Sequence, residues 1–242
     1  MSAAIITQRT VVASPRLKAR IAGACEFFEG LTSAWGQVLV LGKLVINGDP
    51  AATARNLTAH QSLLRLGFAS SLIAVFFHIA WAYLFYDLFK AVSRRLSAFA
   101  AFVILVGCAI QAVTCLLYLA PLFFLRSGGP IGAFTTPQLQ DLAMRVLDLN
   151  AAAFDLYLVF FGVWCILIGY LIARSMFMPR ILGILLMISG LGWAVFLAPS
   201  LAHRMFTYIA AASALGEIPL QFWLLVFGVN NERWCEQARV LE

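Results

Sequence analysis

Apolar residues run through this chain in long blocks, and short polar segments interrupt them. Blocks of about 20 residues match the length a helix needs to cross a hydrocarbon core of roughly 30 Å. Six spans divide the sequence best, at approximately residues 21–42, 66–89, 97–124, 150–173, 179–199 and 206–229. The expected fold is therefore all-α, a polytopic membrane helical bundle.

The polar segments supply the topology. Lys and Arg concentrate on one side, at Arg9, Arg16, Lys18, Arg20, Lys90, Arg94, Arg95, Arg174, Arg180, Arg233 and Arg239. The other side carries only Lys43, Arg55, Arg65, Arg126, Arg145 and Arg204. The positive-inside rule then predicts both termini in the cytoplasm, which agrees with an even number of spans. The chain divides into a basic cytoplasmic segment (1–20), a six-helix transmembrane domain (21–229) and a cytoplasmic tail (230–242). The apolar start MSAAII precedes the arginines, so no cleavable signal peptide is expected and the first span serves as the insertion signal.

Two longer external connections, NGDPAATARNLTAHQSLLRLG and GAFTTPQLQDLAMRVLDLN, each contain a helix-start signal. Asp49-Pro50 and Thr136-Pro137 pair a capping side chain with a proline at the first helical position. Two short interfacial helices, or extensions of spans two and four, are predicted there. The fifth span is uncharged, and Gly183, Gly190 and Gly192 in it, with Gly162 and Gly169 in the fourth, permit close helix approach.

Composition agrees with lipid as solvent. Of 242 residues, 62% are hydrophobic and 12% charged, against about 25% charged in an average soluble domain. The net charge of +6 does not imply nucleic acid, because the basic residues lie between apolar segments where topology and lipid headgroups account for them. Four of the five cysteines (Cys25, Cys108, Cys115, Cys165) fall inside spans, and no CxxC or Cys/His spacing suggests a metal. No cofactor is expected either. A bis-histidine haem site needs two inward histidines at matching depth, whereas His60 and His203 lie near the external surface and His78 is central. No lysine lies deep enough for a retinal Schiff base.

Candidate chemistry comes from polar residues at membrane depth. At a rise of ~1.5 Å per residue, Glu26 lies roughly 8 Å and Glu29 roughly 12 Å into the first span. His78, Gln111 and Glu217 stand near the middle of spans two, three and six, and Asp155 roughly 8 Å below the outer end of span four. An ionisable group at the bilayer centre costs about 2.5–3.5 kcal/mol on insertion scales, so these residues must face inward and pair, line water or be neutral. Glu26 and Glu29 share one helix face. Two adjacent carboxyls in low dielectric cannot both ionise cheaply, and one is expected to hold a proton. A protonated acid in an apolar pocket is a proton donor. Glu26 is shallow enough to reach cytoplasmic water, and Glu29 is the deeper donor or, alternatively, a strut bonded to His78 or Gln111. Pro219 frees the carbonyl of Leu215 and is expected to kink the helix beside Glu217. Asp155 could cap, or pair with Arg145 or Arg65. Trp35, Trp81, Trp164, Trp193 and Trp223 lie within spans, where they either pack or line a pocket able to stabilise a cation.

Several motifs together resemble a known family. R-I-A-G (20–23), G-K-L-V-I-N-G-D-P-A-A-T-A-R-N (42–56), L-x-R-L-G (63–67), F-Y-D-L (85–88), F-F-G-x-x-C-x-L-x-G-Y-L-I-x-R-S (160–175) and M-P-R-I-L-G (178–183) are similar to a bacterial membrane family, the "domain of unknown function" DUF4386. The resemblance covers about residues 19–228 and implies a multi-helix inner-membrane protein, without an activity, substrate or cofactor to carry over. Glu26 and Glu29 depart from the aliphatic or aromatic residues usual in that family.

Three functions fit these features. The first is a membrane-embedded acid–base enzyme acting on a lipophilic substrate, for example by proton-initiated cyclisation or isomerisation of an isoprenoid. Glu29, Glu217, His78, Asp155 and Glu26 are its candidate catalytic groups, and Gln111 and the five tryptophans its candidate substrate-binding groups. The second is a proton-coupled small-molecule transporter, and the third a structural or assembly subunit whose acids tie helices together. No P-loop, HExxH, GxGxxG, nucleophile elbow or DDxxD motif is present. Expected partners are membrane lipids and a lipophilic small molecule; the oligomeric state stays open.

Overall fold

Residues 14–125 and 134–240 are described by the computed structural model of the chain, and all their regular elements are helical. Arg9, Arg126 and the apolar start lie outside the described residues.

Most helices begin where the sequence supplies an acceptor for free amide groups. Ser14 accepts from the Leu17 amide at 3.2 Å and Pro15 opens α1 (Pro15–Ser33). The helix passes without a break into a π-helix (Ala34–Val40) and α2 (Leu41–Leu44), so the first expected span is helical from end to end. Asp49 accepts from the Ala52 amide at 2.8 Å and starts α3 (Pro50–Ala59), followed by α4 (Gln61–Phe89). Ser93 caps α5 (Arg94–Phe124). The cap of α6 (Thr136–Arg174) is Thr135, whose amide donates to Gln138 Oε1 at 2.8 Å. The cap thus falls one residue before the expected Thr136, because proline is tolerated anywhere in a first turn. The chain ends with α7 (Arg180–Ala194) and a 3₁₀ turn (Val195–Leu197), then α8 (Pro199–Val226) and α9 (Asn231–Arg239).

Two expectations change in detail. The first external helix exists as α3, but the second is the outer end of α6, since neither Gly nor Pro interrupts residues 138–161. Within the expected tail, Asn231–Arg239 form α9, which Trp234 fastens by donating to the Leu88 carbonyl at 2.8 Å. Pro219 sits within α8, which continues through it as one helix.

The helices close into a ring in which α1 packs on α4, α4 on α5, α5 on α6, α6 on α7, α7 on α8, and α8 back on α1. Pairings show that these neighbours run antiparallel: Lys18 meets Asp87 while Glu29 meets His78, and Ser189 meets Glu217 while Gly192 meets Ile209. Both described ends of the chain therefore lie on one side. Five helices, α4 to α8 (α7 with its 3₁₀ turn), are long and apolar enough to cross a membrane, and the first expected span falls on α1, the π-helix and α2. Large apolar side chains also cover the outside of the ring, among them Phe76, Phe102, Leu116, Leu191 and Leu215. Helices apolar on both faces require an apolar solvent. The chain is a multi-pass membrane protein.

One contact sets how closely α6 and α7 approach. Gly162 faces Gly190 and Gly169 faces Gly183, and a Cβ on Gly162 or Gly169 would sit 2.7 or 2.6 Å from the carbonyl oxygen opposite. Gly192, grouped with them from the sequence, has only ordinary contact with Ile209 at 3.5 Å. Gly169→Leu should lower stability by about 1–3 kcal/mol through overpacking, while Gly192→Ala should be near neutral; thermal unfolding in detergent measures both, and equal effects would contradict this packing.

Candidate functional site

Three helices meet at one buried polar chain. Glu29 on α1, His78 on α4 and Gln111 on α5 are each less than a tenth exposed. Gln111 Nε2 donates to Glu29 Oε1 at 3.2 Å, and Gln111 Oε1 lies 3.0 Å from His78 Nδ1. With the amide oriented by Glu29, His78 donates through Nδ1. Its Nε2 is then an acceptor in the neutral ring, and it is buried without a partner. His78 Nδ1 is also 3.7 Å from Glu29 Oε1. The ring stacks on Trp81 at 4.4 Å, with Tyr157 at its edge.

Glu217 belongs to a second set. Its Oε1 accepts from Ser189 Oγ at 2.6 Å, Ser213 Oγ at 2.6 Å and Trp193 Nε1 at 2.7 Å, tying α8 to α7. Ser213 lies one turn before Glu217, a pairing readable from the sequence. The approach of α7 at Gly216, which brings Ser189 within reach, was not.

Glu26 differs from both. It is 3% exposed, and neither carboxyl oxygen has a hydrogen-bond partner. Gln221 of α8 approaches it without forming one, and Glu217 and Glu29 lie within electrostatic reach. The expectation that Glu26 reaches water is thus corrected. One turn earlier, α8 crosses α1 so closely that a Cβ on Gly23 would sit 2.8 Å from Leu224 Cβ.

The remaining candidates separate by position. Trp81 and Trp164 are fully packed against each other and against Phe85. Trp193 donates to Glu217, and Trp223 lies tilted against Phe227 at 4.6 Å with its indole nitrogen unpartnered. Trp35 is 47% exposed and faces outward. Asp155 stands apart, 3.0 Å from His203 Nε2. Arg145, one of its expected partners, instead approaches Asp148 at 3.6 Å and Asp141 at 4.0 Å on its own helix. Asp155 and His203 line a groove of about 370 Å³ on the side away from the termini, together with Gln37, Asn150, Phe154 and Phe206.

Other polar contacts had no distinct signal in the sequence. Gln37 donates to Thr114 Oγ1 at 3.3 Å, Asn150 to the Thr114 carbonyl at 2.7 Å, and Tyr118 to the Gly36 carbonyl, inside the π-helix, at 2.8 Å. Asp87, noted only as part of F-Y-D-L, binds Lys18 and Lys90, each at 2.5 Å. Among the described residues no three His, Cys, Asp or Glu side chains gather as a metal site needs.

The Gln111 bridge leads to a measurable difference between two substitutions. Gln111→Leu strands Glu29 and the His78 Nδ1–H and should cost about 1–3 kcal/mol, while Glu29→Gln keeps an acceptor oxygen and should cost under about 1 kcal/mol. Unfolding in detergent reads both; a larger loss in Glu29→Gln would mean that the amide is not the bridge.

Comparison with known proteins places the chain. A stretch of 91 residues is 31% identical to a protein of Archaeoglobus fulgidus named only "Uncharacterized protein", covering 35% of this chain and 52% of that one. The chain thus matches about half the length of that relative. No solved structure matches. The model of the family described as "Domain of unknown function (DUF4386)" matches residues 21–228, all of the helical ring but the first turns of α1, and the chain belongs to that family.

Proposed function

We propose that the protein is a membrane-embedded acid–base enzyme of the cytoplasmic membrane, acting on a lipophilic substrate with Glu26 as the proton donor. The observation that carries this reading is a buried carboxyl with no hydrogen-bond partner on either oxygen. Leaving a buried polar group unpaired costs about 1–3 kcal/mol, and more if it is charged. A protonated carboxyl facing an apolar guest is the state in which that cost is least. Glu29 and Glu217, the acids that depth alone favoured, are already engaged by Gln111 and by three donors.

In its concrete form the substrate is an isoprenoid. Glu26 gives its proton to one carbon of a C=C bond and the neighbouring carbon becomes cationic. Indole faces stabilise such a cation by about 0.5–2 kcal/mol each, and Trp81 and Trp164, packed on each other in this core, offer theirs once a guest parts them. Loss of a proton from an adjacent carbon to His78 Nε2 restores a double bond. One proton enters and one leaves, so the product is an isomer, cyclic where a second double bond attacks the cation first; between turnovers His78 gives its proton to water and Glu26 takes one up as the product departs.

A second reading has its own support. The Gln111 bridge and the Ser189 and Trp193 bonds to Glu217 are what interhelical ties look like, and a structural subunit would need nothing more. The two readings differ in D₂O. Purified protein in nanodiscs containing polyprenyl lipids should place a solvent deuteron on carbon, making the product heavier by a single deuteron in mass spectra. Glu26→Gln should reduce that rate by about 100-fold or more, and Glu29→Gln by much less. No deuterium on carbon with the wild type, or an undiminished rate in folded Glu26→Gln, would overturn the enzyme reading.

A further inference from the structure

The turn from α6 to α7 reads ARSMFMPR, with Arg174 the last residue of α6 and Arg180 the first of α7. Ser175 donates to the Ile172 carbonyl at 2.8 Å, which ends the helix and brings the two arginines to one short turn. Across this turn lies α9. The Met176 amide donates to Gln237 Oε1 at 2.9 Å, and Gln237 Nε2 donates to the Arg174 carbonyl at 3.3 Å. With Trp234 anchored on Leu88, the helix holds Arg233 and Glu236 over the same opening. The outcome is a pocket of about 320 Å³ whose lining includes Arg174, Ser175, Arg180, Arg233 and Glu236.

These arginines are not spent on the fold in the way others are. Arg16 Nε donates to the Phe227 carbonyl at 3.1 Å and Arg20 Nη2 to the Val226 carbonyl at 2.7 Å, both satisfying the end of α8. Among the described residues no carboxylate forms an ion pair with Arg174, Arg180 or Arg233. Arg174 lies over the Tyr170 ring at 5.9 Å, and Arg233 reaches the Met176 carbonyl at 3.5 Å. Three guanidinium groups against the one carboxylate of Glu236 leave the pocket positive. The 15-residue α7 starts beside it without a side-chain cap, so its first amides and its dipole add to the attraction for an anion.

We propose that this pocket binds the phosphate of an anionic lipid headgroup. Guanidinium forks match phosphate oxygens in pairs. The flank of the pocket decides for a lipid: Met176 and Ile181 are exposed apolar side chains beside the arginines, where acyl chains would lie. The site is on the side of the termini, far from Glu26, and stands whether or not the acid–base reading does.

Binding of short-chain phosphatidylglycerol to the full-length protein in neutral detergent, followed by native mass spectrometry, tests the assignment. Phosphatidylglycerol should be retained and phosphatidylcholine not. The triple variant R174Q/R180Q/R233Q should weaken retention by about tenfold or more, since each charge-assisted contact is strong. R174K/R180K/R233K keeps the charge and should bind several-fold more weakly than wild type, because lysine lacks the fork. R94Q/R95Q, at the α4–α5 turn on the same side, should bind as wild type. An equal loss in R94Q/R95Q would reduce the effect to general surface charge and overturn the site. Equal competition by inorganic phosphate at the same concentration would overturn the lipid assignment, and undiminished retention by both triple variants would overturn the pocket altogether.

Discussion

Gln111 gives a proton-bearing nitrogen to Glu29 and takes a hydrogen bond from His78, and by doing so joins three helices at one buried point. Lipid offers no partner to a polar group, so each such group inside the bilayer must be met by another part of the chain or remain costly. Among the helices of this ring that requirement selects neighbours: α1 beside α4 and α5 for Glu29, α7 beside α8 for Glu217. Apolar contact with lipid is available to any arrangement of greasy helices. The polar contacts discriminate between arrangements.

The same constraint explains most of the family motifs. Arg20 of R-I-A-G satisfies the end of α8, and Asp49 of the G-D-P segment caps α3. Asp87 of F-Y-D-L is held between Lys18 and Lys90 at the edge of the bundle. Gly162, Gly169 and Gly183 let α6 and α7 touch through their backbones. These residues build the scaffold. Glu26 and Glu29 lie inside that scaffold and share none of these jobs. One is tied and the other is not. That difference puts the proposed chemistry at Glu26.

Much of the fold was legible in one dimension. Span length, the Asp49-Pro50 signal and the close approach at Gly162, Gly169, Gly183 and Gly190 act locally or through the solvent, and each has its counterpart in the structure. Details that depend on a neighbour were less accessible. Whether residues 137–149 formed a separate helix was left open, and the uninterrupted run into α6 settled it. The π-helix at Ala34–Val40 had no signal at all; it coincides with the close crossing of Gly36 on Gly67 and Ser71, and Tyr118 donates to the Gly36 carbonyl there.

For the candidate site the division is sharper. From the sequence alone came the class of protein, its long apolar helices, and a short set of polar residues within them, because hydropathy and helix rise are properties of single residues and of the solvent. Only the tertiary structure decided which of those residues meet. It paired Glu29 with Gln111 and His78, surrounded Glu217 with serines and an indole, set Asp155 apart with His203, and left Glu26 sealed under α8 without a partner. Depth places a residue along the membrane normal, but partner choice depends on rotation about each helix axis and on which helix lies alongside. Those are fixed by packing.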